Sequence, residues 1–418
     1  MNQSQPSSAM RTAWLMVALL WPVALLNYMD RQMLAAMKTS MMDDIPDIGS
    51  EENWGFVLAL FKWVYAVLSP IGGYIADRYS RRHVITLSLF VWSIVTWMTG
   101  HVDTYQELLW TRALMGVSEA FYIPAALALI TDFHIGSTRS RAVGVHQTAI
   151  YAGIIIGGFS GYAADSPDLG WRWTFTASGI VGMVYAIPLF MMLRNPPLAH
   201  DRQPSPSPFS AARELLTNWA FILLVLYFAL PSLAGWVVKD WMPVILKEKF
   251  SLDQGSAGVS AVLYVQLASL VGVVLGGWLA DKWMQHNLRG RIYVSAIGMS
   301  LFLPSLFGVG TVVTRGGVGT EWLAVAIGFL IVFGLGWGFF DCNNMPILCQ
   351  IARPELRATG YGIMNLVGIS IGGFADWIFG TLRDQKVPLE IIFGVFALIA
   401  LLSVVIVLMI RPKSADLR

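Results

Sequence analysis

Long apolar segments, separated by short clusters of charged and turn-forming residues, run through the chain from residue 12 to residue 410. A helix needs about 20 apolar residues to cross a bilayer core of about 30 Å, and twelve of these segments are candidates for such a helix. They are residues 12–40, 54–77, 83–100, 105–133, 141–164, 171–193, 218–246, 256–281, 291–314, 321–351, 356–382 and 389–410. The pattern predicts an all-α membrane protein with twelve transmembrane helices.

The longest polar break lies at residues 194–217 and contains the sequence NPPLAHDRQPSPSPF. Its Pro and Ser content is typical of a linker and not of a membrane span. We therefore predict an N-terminal six-helix bundle in residues 1–193, a cytoplasmic linker in residues 194–217 and a C-terminal six-helix bundle in residues 218–418.

The two predicted bundles resemble each other in sequence. GGYIADRY at residues 72–79 nearly matches GGWLADKW at residues 276–283, about half the chain further on. Residues 141–159 also match residues 357–374 with a gap of one residue. Self-similarity at this spacing indicates a duplicated domain with two pseudo-symmetric halves.

The repeat also relates two acidic residues inside predicted spans. The fourth span contains GVSEAFYIP and the tenth contains GFFDCNNMP, and each acid stands three residues after a Gly and five before a Pro. Glu119 and Asp341 are therefore predicted to occupy equivalent positions in the two halves. Their position in apolar segments makes both of them candidates for a functional site.

The composition and the charge distribution support a membrane location. Hydrophobic residues make up 56% of the sequence and charged residues 13%, whereas a soluble domain carries roughly a quarter of charged residues. Most Lys and Arg residues outside the apolar segments fall on the side that holds both termini, which the positive-inside rule places in the cytoplasm. We expect a multi-pass, monomeric protein of a bacterial inner membrane, with membrane lipids and a small-molecule substrate as its partners.

The sequence contains few residues that could support catalysis or metal binding. Cys342 and Cys349 are the only cysteines, and their spacing on one predicted helix, about 10 Å along the axis, is too long for a disulfide. The sequence shows no metal-ligand spacing and no pairing of a nucleophile with a base. We therefore expect no catalytic residue, metal, cofactor or nucleic-acid partner.

Apart from those at or near span ends, four basic residues fall inside predicted spans, where a charge is unfavourable and usually faces a cavity or a partner. Arg31 and Arg112 lie in the first and fourth spans, close in sequence to Asp30 and Glu119. The other two are Lys62 and Lys239. Lys62, about two turns from a span end, is expected to extend its ammonium to the interface.

Several of these segments resemble the motifs of a known family. GGYIADRYSRR is similar to the loop motif of the major facilitator superfamily, with Ser80 where that family usually has Gly. LNYMDR in the first span and RALMGVSEAFYIPA in the fourth resemble the anion:cation symporter branch, which includes proton-coupled transporters of hexuronates, galactonate and sialic acid. Spinster-like lipid transporters share both segments. The resemblance implies two six-helix bundles whose helices 1, 4, 7 and 10 line a cavity that opens alternately to each side.

The resemblance extends the proton-coupling role of the branch to Asp30 and Glu119, and the proton is then the coupling ion. For Arg112 we weigh an anion anchor against a structural ion pair. Arg31 offers a guanidinium fork that suits a carboxylate, and the alternative is a partner for Glu119. Lys239 is either a substrate contact or a snorkelling residue.

Uncharged polar residues in the spans are suited to a polyhydroxylated ligand, and each could instead form an interhelical hydrogen bond. The substrate-binding candidates among them are Tyr28, Gln147, Asn343, Asn344 and Asn365. Asp341 is a third proton-coupling candidate, with a structural bond to Asn365 as the alternative. Trp236 and Trp337 are candidates for stacking on a sugar.

A further group of charged residues lies at the cytoplasmic ends of the predicted helices. There an Asp can accept from a helix N-terminus and pair with an Arg in one conformational state only. We assign these residues to gating: Asp77, Arg78, Arg82, Arg141, Asp281 and Arg357.

The sequence as a whole favours a secondary transporter that imports an organic anion, above all a sugar acid, together with protons. One alternative is a spinster-like lipid or lysolipid carrier, which predicts a more apolar cavity. A second is a drug–proton antiporter, although its helix-5 signature is only half present because Gly158 replaces Pro. A third is a transport-like membrane sensor.

Overall fold

The computed structural model describes residues 7–134, 138–195 and 208–411. In the first half the helices are α1 Ser7–Ala36, α2 Lys38–Asp44, α3 Glu51–Arg78, α4 Arg81–Thr99, α5 Tyr105–Glu119, α6 Tyr122–Phe133, α7 Arg139–Asp165 and α8 Gly170–Met192. In the second half they are α9 Pro208–Leu216, α10 Trp219–Phe250, α11 Gln254–Met284, α12 Gly290–Arg315, α13 Thr320–Ile351, α14 Arg357–Asp384 and α15 Leu389–Met409. Short 3-10 helices lie at Pro46–Ile48 and Pro354–Leu356.

Eleven helical stretches among the described residues are long and apolar enough to cross a membrane, and α5 and α6 together form one of them. The predicted all-α membrane fold is confirmed. The predicted span at residues 83–100 corresponds to α4, which is not among the eleven. It has 19 residues, and Arg81, Arg82 and His83 in its first turn lower its mean hydropathy.

The chain forms two compact units, which are Met1–Gly49 with Leu60–His200 and Asp253–Gly255, and Ser50–Ala59 with Asp201–Leu252 and Ser256–Arg418. In the first unit α1 packs along α7 and α4 packs along α8. Gly153 allows a close approach of α7 to α1, because a Cβ there would collide with the backbone carbonyl of Leu25. Small residues at such crossings let helix backbones approach within the membrane.

In the second unit α12 packs against α13 and α15, and α10 packs against α14. An aromatic cluster fills the space beside α13. The rings of Phe302 and Trp337 stack with centroids 6.1 Å apart, and Phe340 lies 5.3 Å from both Trp337 and Tyr227. Trp337 is thus a packing residue of this unit.

Each unit contains a helix N-terminus that is capped by an aspartate from the end of another helix. In the first unit Asp165 accepts from the backbone N–H of Gln254 at 2.6 Å and of Gly255 at 3.2 Å. In the second unit Asp384 accepts from the N–H groups of Glu51 at 3.1 Å and Glu52 at 2.8 Å. The first N–H groups of a helix have no intrahelical partner, so these two aspartates supply the acceptors at the starts of α11 and α3.

Candidate functional site

The helix that contains Glu119 is broken directly after this residue. α5 ends at Glu119 and α6 begins at Tyr122. Pro124 has no N–H, so the carbonyl of Ala120 cannot receive the usual helical hydrogen bond. The break leaves the Glu119 carboxyl group at the end of α5, where it is fully buried.

Glu119 forms a buried ion pair with Arg31 of α1. The distance from Arg31 Nε to Glu119 Oε2 is 2.8 Å, and the two side chains are 8% and 0% exposed. The guanidinium faces the rings of Tyr28, Phe61 and Tyr65, whose centroids lie 4.8, 4.9 and 4.7 Å from its carbon. Arg31 Nη2 and Glu119 Oε1 have no hydrogen-bond partner among the described residues. A single hydrogen bond therefore uses only part of the capacity of both groups.

Arg112 and Asp30 are buried in the same unit. The guanidinium carbon of Arg112 lies 5.0 Å from the centroid of the Phe61 ring, which it shares with Arg31. Asp30 forms hydrogen bonds with hydroxyl groups of two other helices, Thr96 at 2.8 Å and Ser178 at 2.7 Å. The predicted residues Tyr28, Asp30, Arg31, Arg112 and Glu119 thus belong to one largely buried cluster, which we call the arginine–carboxylate cluster.

Gln147 does not face the core of its unit. Its side chain is exposed on α7, while the neighbouring His146 is fully buried and its Nε2 lies 3.0 Å from the hydroxyl oxygen of Tyr122. The Tyr122 hydroxyl donates to the carbonyl of Leu20 at 3.1 Å. This pair joins α6, α7 and α1.

The candidates of the second unit lie on α10, α13 and α14. The ammonium of Lys239 is 4.7 Å from the centroid of the Trp236 ring. Asn343 and Asn344 are buried, and Asn343 donates to the carbonyl of Phe339 at 3.0 Å. The amide nitrogen and oxygen of Asn344 have no hydrogen-bond partner within the described ranges.

Asp341 and Asn365 are both partly exposed residues of the second unit. In the described part of the chain, no hydrogen bond joins Asp341 to Asn365. Nor does any group of three or more His, Cys, Asp and Glu side chains in this part have the arrangement of a metal site. The structure therefore leaves the role of Asp341 as a prediction.

The predicted gating residues occupy helix ends. Arg78 is exposed beside the ring of Tyr74, and Arg82 donates to the carbonyl of Phe190. Asp281 forms an ion pair with Arg291 at 2.9 Å. The side chain of Asp77 lies outside the described part of the chain.

Arg357 and Arg139, and not Arg357 and Arg141, make equivalent contacts in the two units. Arg357 donates to the carbonyls of Ala352 at 3.2 Å and Cys349 at 3.0 Å, which lie five and eight residues before it. Arg139 donates at 3.3 and 3.4 Å to the carbonyls at the same two offsets, those of residues 134 and 131. Arg141 is exposed. The contact that secures the end of the preceding helix is thus made by Arg357 in the second unit and, in the first, by Arg139, two residues before the aligned Arg141.

The structure contradicts the sequence expectation for one lysine and shows contacts of two hydroxyl residues that the sequence did not single out. Lys62 was expected to reach the interface, but it is only 3% exposed, so that expectation is wrong. Thr96 and Ser178 were not identified as candidates, because single hydroxyl residues in a span carry no distinctive sequence signal. Their contacts with Asp30 become visible only when α1, α4 and α8 are packed together.

Comparison with known proteins relates the chain to membrane transporters. It is 26% identical over 380 residues to Protein spinster of Drosophila melanogaster, an alignment that covers 88% of this chain and only 61% of that protein. It is 23% identical over 406 residues to the Probable galactarate/D-glucarate transporter GarP of Escherichia coli (strain K12), covering 87% and 86%.

Among solved structures, a bacterial homolog to the human lysosomal transporter spinster, in an inward-facing and occupied conformation, matches with a TM-score of 0.78. The identity is 17%, and the match covers 94% of this chain and 96% of that one, which shows a shared fold. The sequence model of the Major Facilitator Superfamily matches residues 20–376. The chain therefore belongs to the Major Facilitator Superfamily and is a multi-pass membrane transporter rather than an enzyme.

Proposed function

We propose that the protein transports an organic anion together with protons, with sugar acids as the first candidate substrates. The observation that carries this proposal is the buried ion pair between Arg31 and Glu119, in which both groups keep one unused polar atom. A transporter that accepts an anion needs a cation whose counter-ion can be displaced, and this pair provides one.

The coupling follows from the burial of both partners. A substrate carboxylate can use the two N–H groups of the Arg31 fork, whereas Glu119 uses one. When the substrate displaces Glu119, the buried carboxyl loses its counter-charge, and an unpaired buried charge is strongly unfavourable. Uptake of a proton by Glu119 removes that charge. Anion binding and proton binding thereby favour each other.

The remaining candidates have supporting roles in this proposal. Arg112 shares the Phe61 ring with Arg31 and adds a second positive charge to the arginine–carboxylate cluster. Asp30 is a second proton site, and Asp341 is the proposed third. The proposed substrate contacts outside the cluster are Lys239, Gln147, Asn343, Asn344 and Asn365.

Other parts of the proposal concern gating and location. The proposed gating residues are Asp77, Arg78, Arg82, Arg141, Asp281 and Arg357, to which the contacts of Arg139 add one more. We further propose a monomer in a bacterial inner membrane, surrounded by lipid and with cytoplasmic termini.

Two relatives favour different substrates. The name of the galactarate/D-glucarate transporter supports a sugar acid, and several charged groups in one buried cluster suit such a ligand. The similarity to spinster proteins supports a lipid carrier as the second candidate. Such a ligand is also favoured by the three aromatic rings around Arg31, because they provide apolar surface next to the cation.

The test is uptake by purified protein in proteoliposomes, with and without an inward proton gradient. The panel contains glucarate, galactarate, glucuronate, galactonate and sialic acid, with a lysophospholipid as the lipid arm. We expect at least one sugar acid to accumulate only with the gradient, and Glu119→Gln to abolish gradient-driven accumulation. Asp168→Asn, at an exposed acid, is the control and should behave as the wild type.

Either of two results would overturn the proposal. One is transport of the lysophospholipid in the absence of any transport of the sugar acids, which would favour the lipid carrier. The other is accumulation by Glu119→Gln that still follows the proton gradient, which would remove Glu119 from the coupling site.

A further inference from the structure

The two acids of the arginine–carboxylate cluster have different partners, although Asp30 is the sequence neighbour of Arg31. Glu119 is bonded to the Arg31 guanidinium. The Asp30 carboxyl is bonded to two neutral hydroxyls, with Thr96 Oγ1 at 2.8 Å from Oδ2 and Ser178 Oγ at 2.7 Å from Oδ1. The three residues come from α1, α4 and α8, and none is more than 8% exposed.

A hydroxyl group is suited to a carboxyl that changes its protonation state. It has one donor and two acceptor positions, and its hydrogen can rotate. It can therefore donate to a carboxylate and accept from a carboxylic acid at nearly the same oxygen–oxygen distance. An arginine can only donate, so Arg31 favours the ionised form of Glu119 but could not accept from it after protonation.

The surroundings of Thr96 indicate which oxygen takes the proton. Thr96 Oγ1 lies 4.0 Å from Met115 Sδ, a weak acceptor. When Oδ2 carries the proton, its O–H donates to Thr96 Oγ1, and the Thr96 hydrogen turns towards the sulfur. Ser178 continues to donate to Oδ1 in both states.

Other charged and ionisable groups also face Asp30 or its helix. Arg112 and Glu119 on α5 act on the Asp30 carboxyl electrostatically, and Arg31 follows it on α1. Against the other faces of α1 lie Tyr122 of α6, His146 of α7 and Tyr185 of α8, and the hydroxyl groups of the two tyrosines donate to α1 carbonyls at 3.1 and 2.8 Å. Among these contacts, only the two hydroxyls of Thr96 and Ser178 are bonded directly to the Asp30 carboxyl.

We propose that Thr96 and Ser178 are positioning residues for proton transfer, and that they hold the Asp30 carboxyl so that it can gain and lose its proton without moving. The proposal rests on the proposed function, because it concerns the second proton site of that coupling. The two acids of the cluster then have different roles. The Glu119 carboxyl is displaced from Arg31 by the substrate, whereas the Asp30 carboxyl is held in place by two hydroxyls.

The test compares two pairs of variants in the proteoliposome assay, with uptake measured as a function of pH. Thr96→Val and Ser178→Ala remove the hydroxyls bonded to Asp30. Thr99→Val and Ser93→Ala are matched controls on α4, because these side chains are equally buried but donate to carbonyls of their own helix at 2.9 and 2.7 Å.

Loss of a donor to a carboxylate disfavours the ionised form more than the protonated form, since hydrogen bonds to a charged group are about twice as strong as neutral ones. We expect Thr96→Val and Ser178→Ala each to move the pH midpoint of uptake upward by about half to one unit. Thr96→Ser should restore the wild-type midpoint, and both control variants should keep it.

A spectroscopic measurement covers variants whose transport is too slow to measure. The carbonyl band of protonated Asp30 is identified in pH-difference infrared spectra as the band that Asp30→Asn removes. Ser178→Ala should shift it to higher frequency because Oδ1 loses a donor, and Ser93→Ala should leave it in place.

The outcomes separate this inference from the proposed function. If the wild type shows no proton-driven uptake, or Asp30→Asn keeps the wild-type pH profile, the coupling role of Asp30 fails and this inference fails with it. If Asp30→Asn abolishes coupling while Thr96→Val and Ser178→Ala leave both the midpoint and the band unchanged, only the positioning role is overturned.

Discussion

Replacement of Glu119 by Gln tests whether Glu119 and a substrate anion compete for Arg31. The side chain keeps its size and loses its charge, as it would on protonation. In the wild type, an anion must displace Glu119 Oε2 from Arg31 Nε, a contact of 2.8 Å. A hydrogen bond to a charged group contributes about 1.5–3 kcal/mol and is about twice as strong as a neutral one. Because the glutamine oxygen still accepts from Arg31, about half of this energy should remain, and loss of the competing charge should tighten anion binding by about 3- to 12-fold.

Although anion binding should become tighter, the free energy of unfolding of the variant without the anion should be lower than that of the wild type. Removal of one partner of a buried ion pair leaves the other charge uncompensated, which costs about 3–5 kcal/mol. The glutamine oxygen still accepts one bond from Arg31, so the loss should lie at the lower end of this range. Binding of the anion at a concentration of about 100 times its Kd should raise the free energy of unfolding by about 2.7 kcal/mol. The variant is therefore expected to melt earlier than the wild type without the anion and to gain more from its addition.

The assay is a thermal melt of the purified protein in detergent with and without the transported anion, together with calorimetric measurement of Kd. Glu214→Gln is the matched control, since Glu214 forms an ion pair with Arg353 in which the side chains are 50% and 64% exposed. Solvent screening reduces such a pair to about 0–1 kcal/mol. Unchanged or weaker anion binding by Glu119→Gln would refute the displacement argument, whatever its melting temperature.

Three further expectations concern stability and anion binding. Arg357→Ala should lower the melting temperature because the last carbonyls of α13 lose their donor, whereas Arg141→Ala at an exposed site should not; equal shifts would contradict the capping role. Asp384→Ala should cost about 1 kcal/mol through loss of the α3 cap, with Asp168→Ala as the neutral control in the same melt. Phe61→Leu should weaken anion binding and Phe61→Tyr retain it, because only an aromatic ring attracts both guanidinium groups; equal Kd values for the two variants would refute this.

The helices and the arginine–carboxylate cluster were accessible from the sequence because their signals are local. An apolar run of membrane length predicts a span by itself, and an ionisable residue within such a run is conspicuous. The sequence left open whether Glu119 pairs with Arg31 or whether Arg112 serves as a structural partner, and the structure shows the contact with Arg31. That choice depends on the rotation of α1 against α5, which the residue pattern of either helix does not determine.

Features that the sequence did not reveal depend on contacts between helices distant in sequence. Lys62 was expected to follow the general behaviour of long cationic side chains near a span end, and its burial depends on what packs against α3. Thr96 and Ser178 have ordinary neighbours in sequence, and their roles depend on the position of Asp30 between α4 and α8. Hydroxyl residues in membrane helices bond more often to their own backbone, as Thr99 does, so the sequence offered no reason to select these two.

The repeat is most informative at the helix ends, where both halves supply hydrogen-bond partners for the same backbone groups. Arg139 and Arg357 satisfy carbonyls at identical offsets, and Asp165 and Asp384 cap helix N-termini in the same manner. Every helix end needs such partners, so a duplicated chain keeps them whatever it transports. The side chains proposed to meet the substrate have no such constraint, and there the halves differ, with an arginine–carboxylate pair in the first unit and Lys239 beside an aromatic ring in the second. Contacts shared by the two halves therefore identify the residues that maintain the helices, and contacts present in one half identify the residues to test for substrate recognition.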